Sequence, residues 1–300
     1  AMQKLATQDK VIASIAPIAS SSVMAAAQVN ESAKILGISP TASNPNVTVD
    51  PETGKVRDYL FRATFIDPFQ GAVMANFAKN TLKAQKAAVY IENSSDYAKG
   101  LGKFFKETFV QNGGNIVSDE AYLAKDTDFK ATLTKIKASN PDVIFVPGYY
   151  QEVGMIIKQA REIGITVPIL GADGWDSAKL PEIAGAEALN NTFFSNHYSP
   201  DDNSPEIKNF VEAYKAEYGQ VPDAFAALSY DATMMIIEAI KRAGVEDSVK
   251  VKDELAKTKD YQGVSGSITL DEKHNAVKGV VIIEMKNGIQ AFKEKIKPLS

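Results

Sequence analysis

Ala19-Ser20-Ser21-Ser22 and Thr41-Ala42-Ser43-Asn44-Pro45 are the two stretches whose reading decides the fold. Each follows a short apolar run. Val11–Ala16 reads as a buried strand and Leu36–Ser39 as the next, and a helix opened by a serine cap is predicted over Ser21–Ala33 between them. Two small hydroxyl-bearing loops therefore leave the carboxyl ends of neighbouring strands, where open α/β sheets bind small ligands. A helix N-terminus with a serine beside it offers neutral N–H and O–H donors to a small anion such as a carboxylate. Taken alone, Ser20 and Ser21 read first as ordinary helix caps.

Outward from these loops, strand and helix patterns alternate. Lys86–Glu92 is followed by a helix over Asp96–Asn112, Ile116–Tyr122 by Phe129–Ser139, Val143–Pro147 by Tyr149–Gly164, and then comes Ile169–Gly171. Such alternation predicts right-handed βαβ units and a mainly parallel sheet. Glycine signals close several helices, among them Gln111-Asn112-Gly113-Gly114 and Glu162-Ile163-Gly164. Beyond Asn191–Tyr198 the helices lengthen, over Pro205–Tyr218, Ala224–Ala243 and Val249–Thr258. The chain ends in strands at Ser267–Leu270, Val280–Lys286 and Gly288–Phe292, with Asn287-Gly288 as a two-residue hairpin turn. Thr64–Pro68, Asn196–Ser199 and Ile268–Asp271 read as crossings between two lobes, a hinge about which the lobes close on a ligand.

Composition narrows the class. The 300 residues, 45% of them hydrophobic, can bury one large core or two medium ones. A net charge of −4, with acids and bases interspersed, provides no electrostatic footprint for nucleic acid. No apolar run is long enough to span a membrane, and no charged-then-apolar leader opens the sequence, so a soluble, mature or trimmed product is expected. Absence of cysteine removes disulfides, zinc–thiolate centres and thiol nucleophiles together.

Enzyme motifs fail on spacing. The two histidines, His197 and His274, sit in the sequence far from the serine loops, and no G-x-S-x-G elbow accompanies them. Gly171-Ala172-Asp173-Gly174 lacks the spacing of a dinucleotide loop, and no phosphate-binding G-x-x-x-x-G-K-[ST] occurs. Asp58 and Asp201-Asp202 are flanked by residues typical of solvated turns, so no metal or other cofactor is expected.

Along its whole length the chain resembles the leucine/isoleucine/valine-type substrate-binding proteins of bacterial ABC importers, which have the periplasmic-binding-protein type I fold. The residues that carry the resemblance are the two serine loops together with Arg62-Ala63-Thr64, Asp67-Pro68-Phe69-Gln70-Gly71, Asp96-Tyr97-Ala98-Lys99-Gly100-Leu101, Asp126-Thr127-Asp128-Phe129, Asn140-Pro141-Asp142, Pro147-Gly148-Tyr149-Tyr150 and Gly171-Ala172-Asp173-Gly174-Trp175, in this order and spacing. The resemblance implies an α/β protein of two Rossmann-like lobes with parallel sheets and a three-strand hinge. Lobe 1 would comprise residues 1–67 and 198–270, and lobe 2 residues 68–197 and 271–300. It implies a non-enzymatic, monomeric receptor, periplasmic or anchored outside the cell as a lipoprotein, that captures a free aliphatic or aromatic L-amino acid and presents it to a membrane permease. A sensory ligand-binding domain, or an amide or urea receptor, is the alternative within the same fold.

Carried over by position, the resemblance gives the Ser20 hydroxyl and the Ser43 N–H to the ligand carboxylate, neutral donors that avoid burying an arginine. The Thr41–Ala42–Ser43 segment supplies the Thr41 carbonyl and the Ser43 hydroxyl as acceptors for the ligand ammonium, and Asp173 supplies its counter-charge. Tyr97 and Tyr149 close over the ligand from lobe 2, and Phe225 flanks the side-chain pocket from lobe 1. Trp175, in an exposed-looking turn, either lines the mouth of the site or packs on Pro181. Two departures stand out. Position 173 holds aspartate where branched-chain binders often have glutamate, which shifts the ammonium towards lobe 2 or calls for a bridging water. The strand, loop, helix and second strand with which family members begin have no counterpart before Ala1, so lobe 1 is expected to have the smaller sheet.

Overall fold

The computed structural model describes residues 1–202 and 204–297. In chain order its strands are β1 (Ala13–Ile15), β2 (Leu36–Ser39), β3 (Leu60–Arg62), β4 (Lys86–Glu92), β5 (Asn115–Tyr122), β6 (Val143–Phe145), β7 (Ile169–Gly171), β8 (Thr192–Asn196), β9 (Tyr261–Gly263), β10 (Gly266–Leu270), β11 (Ala276–Val277), β12 (Val280–Lys286) and β13 (Ile289–Ile296). The helices are α1 (Met2–Lys4), α2 (Ser20–Ala33), α3 (Asp67–Asn76), α4 (Asp96–Gln111), α5 (Lys130–Ala138), α6 (Tyr150–Glu162), α7 (Lys179–Ala184), α8 (Pro205–Tyr218), α9 (Ala224–Ala243) and α10 (Ser248–Ala256). The chain divides into two compact units, one of Ala1–Ile66 with 204–279 and one of Asp67–Asp202 with 280–297.

In the first unit β1, β2 and β3 form a parallel sheet with β2 in the middle, pairing Ile15 with Ile38 and Ile38 with Phe61. Successive side chains of a strand face opposite ways, and β3 shows the consequence. Leu60 packs with Val23 and Ala27 of α2, whereas its neighbour Phe61 packs with Ala232 and Met235 of α9 and with Val251 and Leu255 of α10. The sheet is therefore covered by helices on both faces. Asp223 caps α9 by accepting from the Ala226 N–H at 2.9 Å, and Gly244, at φ 65°, ends it in a left-handed turn. A second, antiparallel sheet of β9, β10 and β11 joins the same core through Ile268, Leu270 and Ala276.

The second unit holds one sheet of seven strands in the order β13-β12-β8-β7-β6-β4-β5, parallel from β5 to β8 and antiparallel at β12 and β13. Its middle strands are apolar on both faces, as burial between two helical layers demands, with Ala87, Ala88, Val89 and Tyr90 all buried. The four-residue spacing of Tyr97, Leu101, Phe105 and Phe109 lays one buried stripe along α4. Ser95 starts that helix by accepting from the Ala98 N–H. Asn287 and Gly288 both take positive φ, 51° and 78°, in the tight turn that the sequence predicts between β12 and β13.

Three expectations need correction. Ile268–Asp271 is not a crossing: β10 pairs with β9 on one side and β11 on the other, inside the first unit, and the chain changes unit only after Gly279. Residues up to Asp202 stay with the second unit, beyond the expected crossing at Asn196–Ser199. Trp175 is not in an exposed turn. It is fully buried, its indole N–H donates to the Val146 carbonyl at 3.0 Å, and its ring packs on Phe194. The first unit's sheets have three strands each against seven in the second.

Candidate functional site

The polar loops of the first unit are laced together by side chains rather than by a cap. Helix α2 begins at Ser20 with Ala19 as its N-cap and no side-chain cap bond. Ser20 Oγ instead accepts from the Asn44 N–H at 3.2 Å, which ties the start of α2 to the loop after β2 and leaves the hydroxyl proton for another acceptor. Thr41 Oγ1 donates to the Ile18 carbonyl at 2.8 Å. Ser39 Oγ donates to the Pro17 carbonyl at 3.0 Å and accepts from the Ala42 N–H at 3.1 Å. Ser20, Thr41, Ala42 and Ser43 are thus brought together along one edge.

Ser43 is the exception in that edge. It is wholly buried, yet neither its Oγ nor its N–H finds a partner among the described residues. Buried donors without partners carry a desolvation penalty of about 1–3 kcal/mol each, so a pair of them on one residue is a feature the packing of the free chain does not account for. Beneath the loop lies Arg62, also wholly buried. Its guanidinium donates to the carbonyls of Ala42 and Asn44, each at 2.9 Å, and to Thr48 Oγ1 at 3.1 Å. A buried arginine thus supports this edge from behind. Phe225, second residue of α9, is half-buried, and its ring has no aromatic partner among the described residues.

In the second unit Asp173 lies just past the end of β7, on a single helical turn, only 3% exposed. Its Oδ1 accepts from Gln70 Nε2 at 2.8 Å and from Tyr97 O–H at 2.7 Å, and its Oδ2 lies 3.0 Å from His197 Nε2. Gln70, from α3, also donates to Ser195 Oγ on β8 at 2.9 Å. Tyr97 O–H accepts in turn from the Gly174 N–H at 3.0 Å, and its ring stacks on Tyr149 with centroids 5.3 Å apart. A Cβ on Gly174 would run into the Gly148 carbonyl and the Tyr97 ring, so only glycine allows this close approach.

Electrostatics follow from the burial. Burial pushes the Asp173 carboxyl up, but the hydrogen bond and charge of His197, with the bonds from Gln70 and Tyr97, outweigh it and hold the group below the usual carboxylate range. Burial, and then the Asp173 charge, push the Tyr97 and Tyr149 hydroxyls well up, so both stay protonated. The structure brings Asp173, Tyr97 and Tyr149 together. The partners Gln70, Ser195 and His197 are not among the residues singled out for the site. Two signals pointed to them: Gln70 lies in Asp67-Pro68-Phe69-Gln70-Gly71, and His197 in the Asn196–Ser199 stretch. With three of about four carboxylate acceptor positions taken, Asp173 keeps room for one further donor.

One α/β unit thus holds a buried serine without a partner among the described residues, and the other a buried acid bonded by Gln70, Tyr97 and His197 just past a strand end, the place where open α/β sheets carry small-molecule sites. The chain belongs to the periplasmic binding protein family, which it matches over residues 1–290. Membership implies an extracytoplasmic location. An amino acid binding protein of Pseudomonas aeruginosa is 31% identical over 270 residues, covering 90% of this chain and 70% of the relative. The leucine-specific-binding protein of Salmonella typhimurium is 30% identical over 261 residues, 86% of this chain and 68% of its own. Among solved structures, a leucine binding protein of Thermotoga maritima is similar at 40% identity and a TM-score of 0.93, covering 99% of this chain and 83% of that one. The branched-chain amino acid transporter substrate binding protein of Streptococcus pneumoniae, in complex with isoleucine, is similar at 41% identity and a TM-score of 0.92, covering 99% and 82%. These relatives are binding proteins, not enzymes.

Proposed function

We propose that this chain is the substrate-binding component of an ABC importer and that it takes one free branched-chain L-amino acid. The observation that carries the reading is the buried Ser43, without a partner among the described residues, whose N–H joins the Ser20 hydroxyl in a neutral donor set suited to an α-carboxylate while its Oγ is left to accept from the ligand ammonium. Asp173 is the anionic group for the ammonium. Its remaining acceptor position, beside the Tyr97 hydroxyl whose ring stacks on Tyr149, suits a cation that donates a hydrogen bond and lies against an aromatic face. The Thr41 carbonyl accepts from the ammonium, Ala42 contributes backbone to the carboxylate edge, and Phe225 contributes an apolar wall for the ligand side chain.

The ligand is held by hydrogen bonds and charge alone, with no bond made or broken, so the protein is a carrier and not an enzyme. It works as a monomer that hands the amino acid to a membrane permease, either free outside the cytoplasm or tethered as a lipoprotein. Among the described residues no helix is long and apolar enough to cross a membrane. A thermal-shift screen of the twenty amino acids against a panel of sugars tests the reading. Leucine, isoleucine or valine at a hundredfold excess over Kd should stabilise the protein by about 2.7 kcal/mol. Stabilisation by a sugar with none by any amino acid would overturn it.

A further inference from the structure

The Arg62 guanidinium and Ser43 sit at opposite ends of one peptide unit. Arg62 Nη1 donates to the Ala42 carbonyl at 2.9 Å, and the N–H at the other end of that same peptide bond is the unpartnered donor of Ser43. In a trans peptide the C=O and N–H point in opposite directions, so a donor seated on the carbonyl leaves the N–H aimed away from it. The second bond, to the Asn44 carbonyl at 2.9 Å, grips the residue on the far side of Ser43. Thr48 Oγ1, which accepts from Arg62 at 3.1 Å, itself donates to Asn275 Oδ1 at 3.0 Å, so the grip is anchored in the first unit's core. The Ser43 peptide is fixed from both sides before any ligand arrives.

Position is only half of the effect. A charge-assisted donor on an amide oxygen draws electron density along the conjugated bond and makes the attached N–H a stronger donor, and this polarisation is largest where water is excluded. Ala42, Ser43 and Arg62 are all buried, Ser43 and Arg62 completely. We propose that Arg62 is a positioning residue that lends its positive charge to a ligand carboxylate through the Ala42–Ser43 peptide, without touching the ligand. The arrangement favours an anion at Ser43 over a neutral group of the same shape, and it spares the ligand a direct ion pair whose desolvation would offset much of the gain. This rests on the assignment of the ligand carboxylate to Ser43.

The test compares L-leucine with L-leucinamide, which keeps the ammonium and side chain but has no carboxylate. Calorimetry on the wild-type chain, with the Ser43 amide proton followed by NMR, reads the assignment itself: leucine should bind more tightly than the amide and move the Ser43 signal downfield. Equal affinities and an unmoved signal would overturn the assignment, and the inference with it. If the assignment stands, Arg62→Gln, which can still bond the Ala42 carbonyl but carries no charge, should cut the preference for leucine at least about ten-fold while leaving leucinamide affinity within about three-fold. Arg62→Lys, which restores the charge, should recover part of that preference. Equal losses for both ligands in Arg62→Gln, or an unchanged preference, would make Arg62 a structural residue only. Should Arg62→Gln fail to fold, Arg62→Lys carries the test: its leucine-induced shift at Ser43 should be smaller than in the wild type, and an undiminished shift would overturn the inference.

Discussion

His197 Nε2 lies 3.0 Å from Asp173 Oδ2, and both residues are buried to within 3% of complete exclusion from solvent. The aspartate is therefore not a bare counter-charge awaiting a ligand but one member of a pair. With His197 protonated the two form a buried charged pair, and removing one partner leaves the other desolvated and uncompensated, at about 3–5 kcal/mol. His197→Ala should lose stability of that order in urea denaturation at neutral pH. A loss under about 1 kcal/mol, within the range of an ordinary neutral hydrogen bond, would mean that Gln70 and Tyr97 satisfy the acid by themselves.

The same cluster gives stability a pH dependence with a definite sign. Asp173 in the folded chain lies below its unfolded value of 3.8, so the folded state holds the carboxylate more readily than the unfolded state does. Its contribution is present above about pH 4 and is lost as the pH falls through the lower, folded value. Asp173→Asn removes the titrating group. Thermal melts taken from pH 5 downwards should show the wild type losing its lead over Asp173→Asn, and a gap that widens on acidification would reverse the assignment of direction.

Most of this architecture was legible in the sequence because it is periodic. Alternating apolar runs and amphipathic stripes define β4 to β8 and their helices, and the Asn287-Gly288 turn is specified by two residues that tolerate positive φ. Short elements whose burial is set by distant partners were harder to read. Strand β3, three residues long, and the buried Arg62 within it owe their place to Ala42, Asn44 and Thr48 across a loop. Ile268–Asp271 resembles a crossing until its pairing with β11, only two residues long, is known. Trp175 looks exposed beside Asp173, Gly174 and Asp176, and only the Val146 carbonyl and the Phe194 ring show why it is not. Likewise nothing in the spacing of Gln70, Tyr97, Asp173 and His197 announces that three side chains from separate segments converge on the Asp173 carboxylate.

Ligand binding should respond to Asp173 more sharply than folding does. Losing the charged partner of a desolvated ammonium weakens binding by about 2–5 kcal/mol, so Asp173→Asn should raise the Kd for leucine or isoleucine by more than about 30-fold. Calorimetry measures this directly. A change under about 0.5 kcal/mol would restrict Asp173 to holding Tyr97 and Gln70 in place.

Gly171 tests the buried position of Trp175. A Cβ at Gly171 would run into the Trp175 indole, which is pinned by its bond to the Val146 carbonyl and cannot swing aside without breaking it. Overpacking of this kind costs about 1–3 kcal/mol, and more where the neighbour is rigid. Gly171→Ala should lower the melting temperature and shift the emission of this single tryptophan to the red. Unchanged emission and stability would place the indole elsewhere.

Ser43→Ala should give the opposite signature to His197→Ala. Its Oγ is buried with no partner among the described residues, so deleting it from the free protein removes a desolvated hydroxyl and no hydrogen bond. Folding stability should therefore stay within about 0.5 kcal/mol of the wild type or rise slightly. The bound state loses a hydrogen bond to a charged ligand group, worth about 1.5–3 kcal/mol, so the Kd for a branched-chain amino acid should rise by roughly ten- to a hundred-fold. Denaturation of the free protein and calorimetry of the complex, run on one preparation, separate the two effects. A stability loss without an affinity loss would show that Ser43 serves the fold and not the ligand.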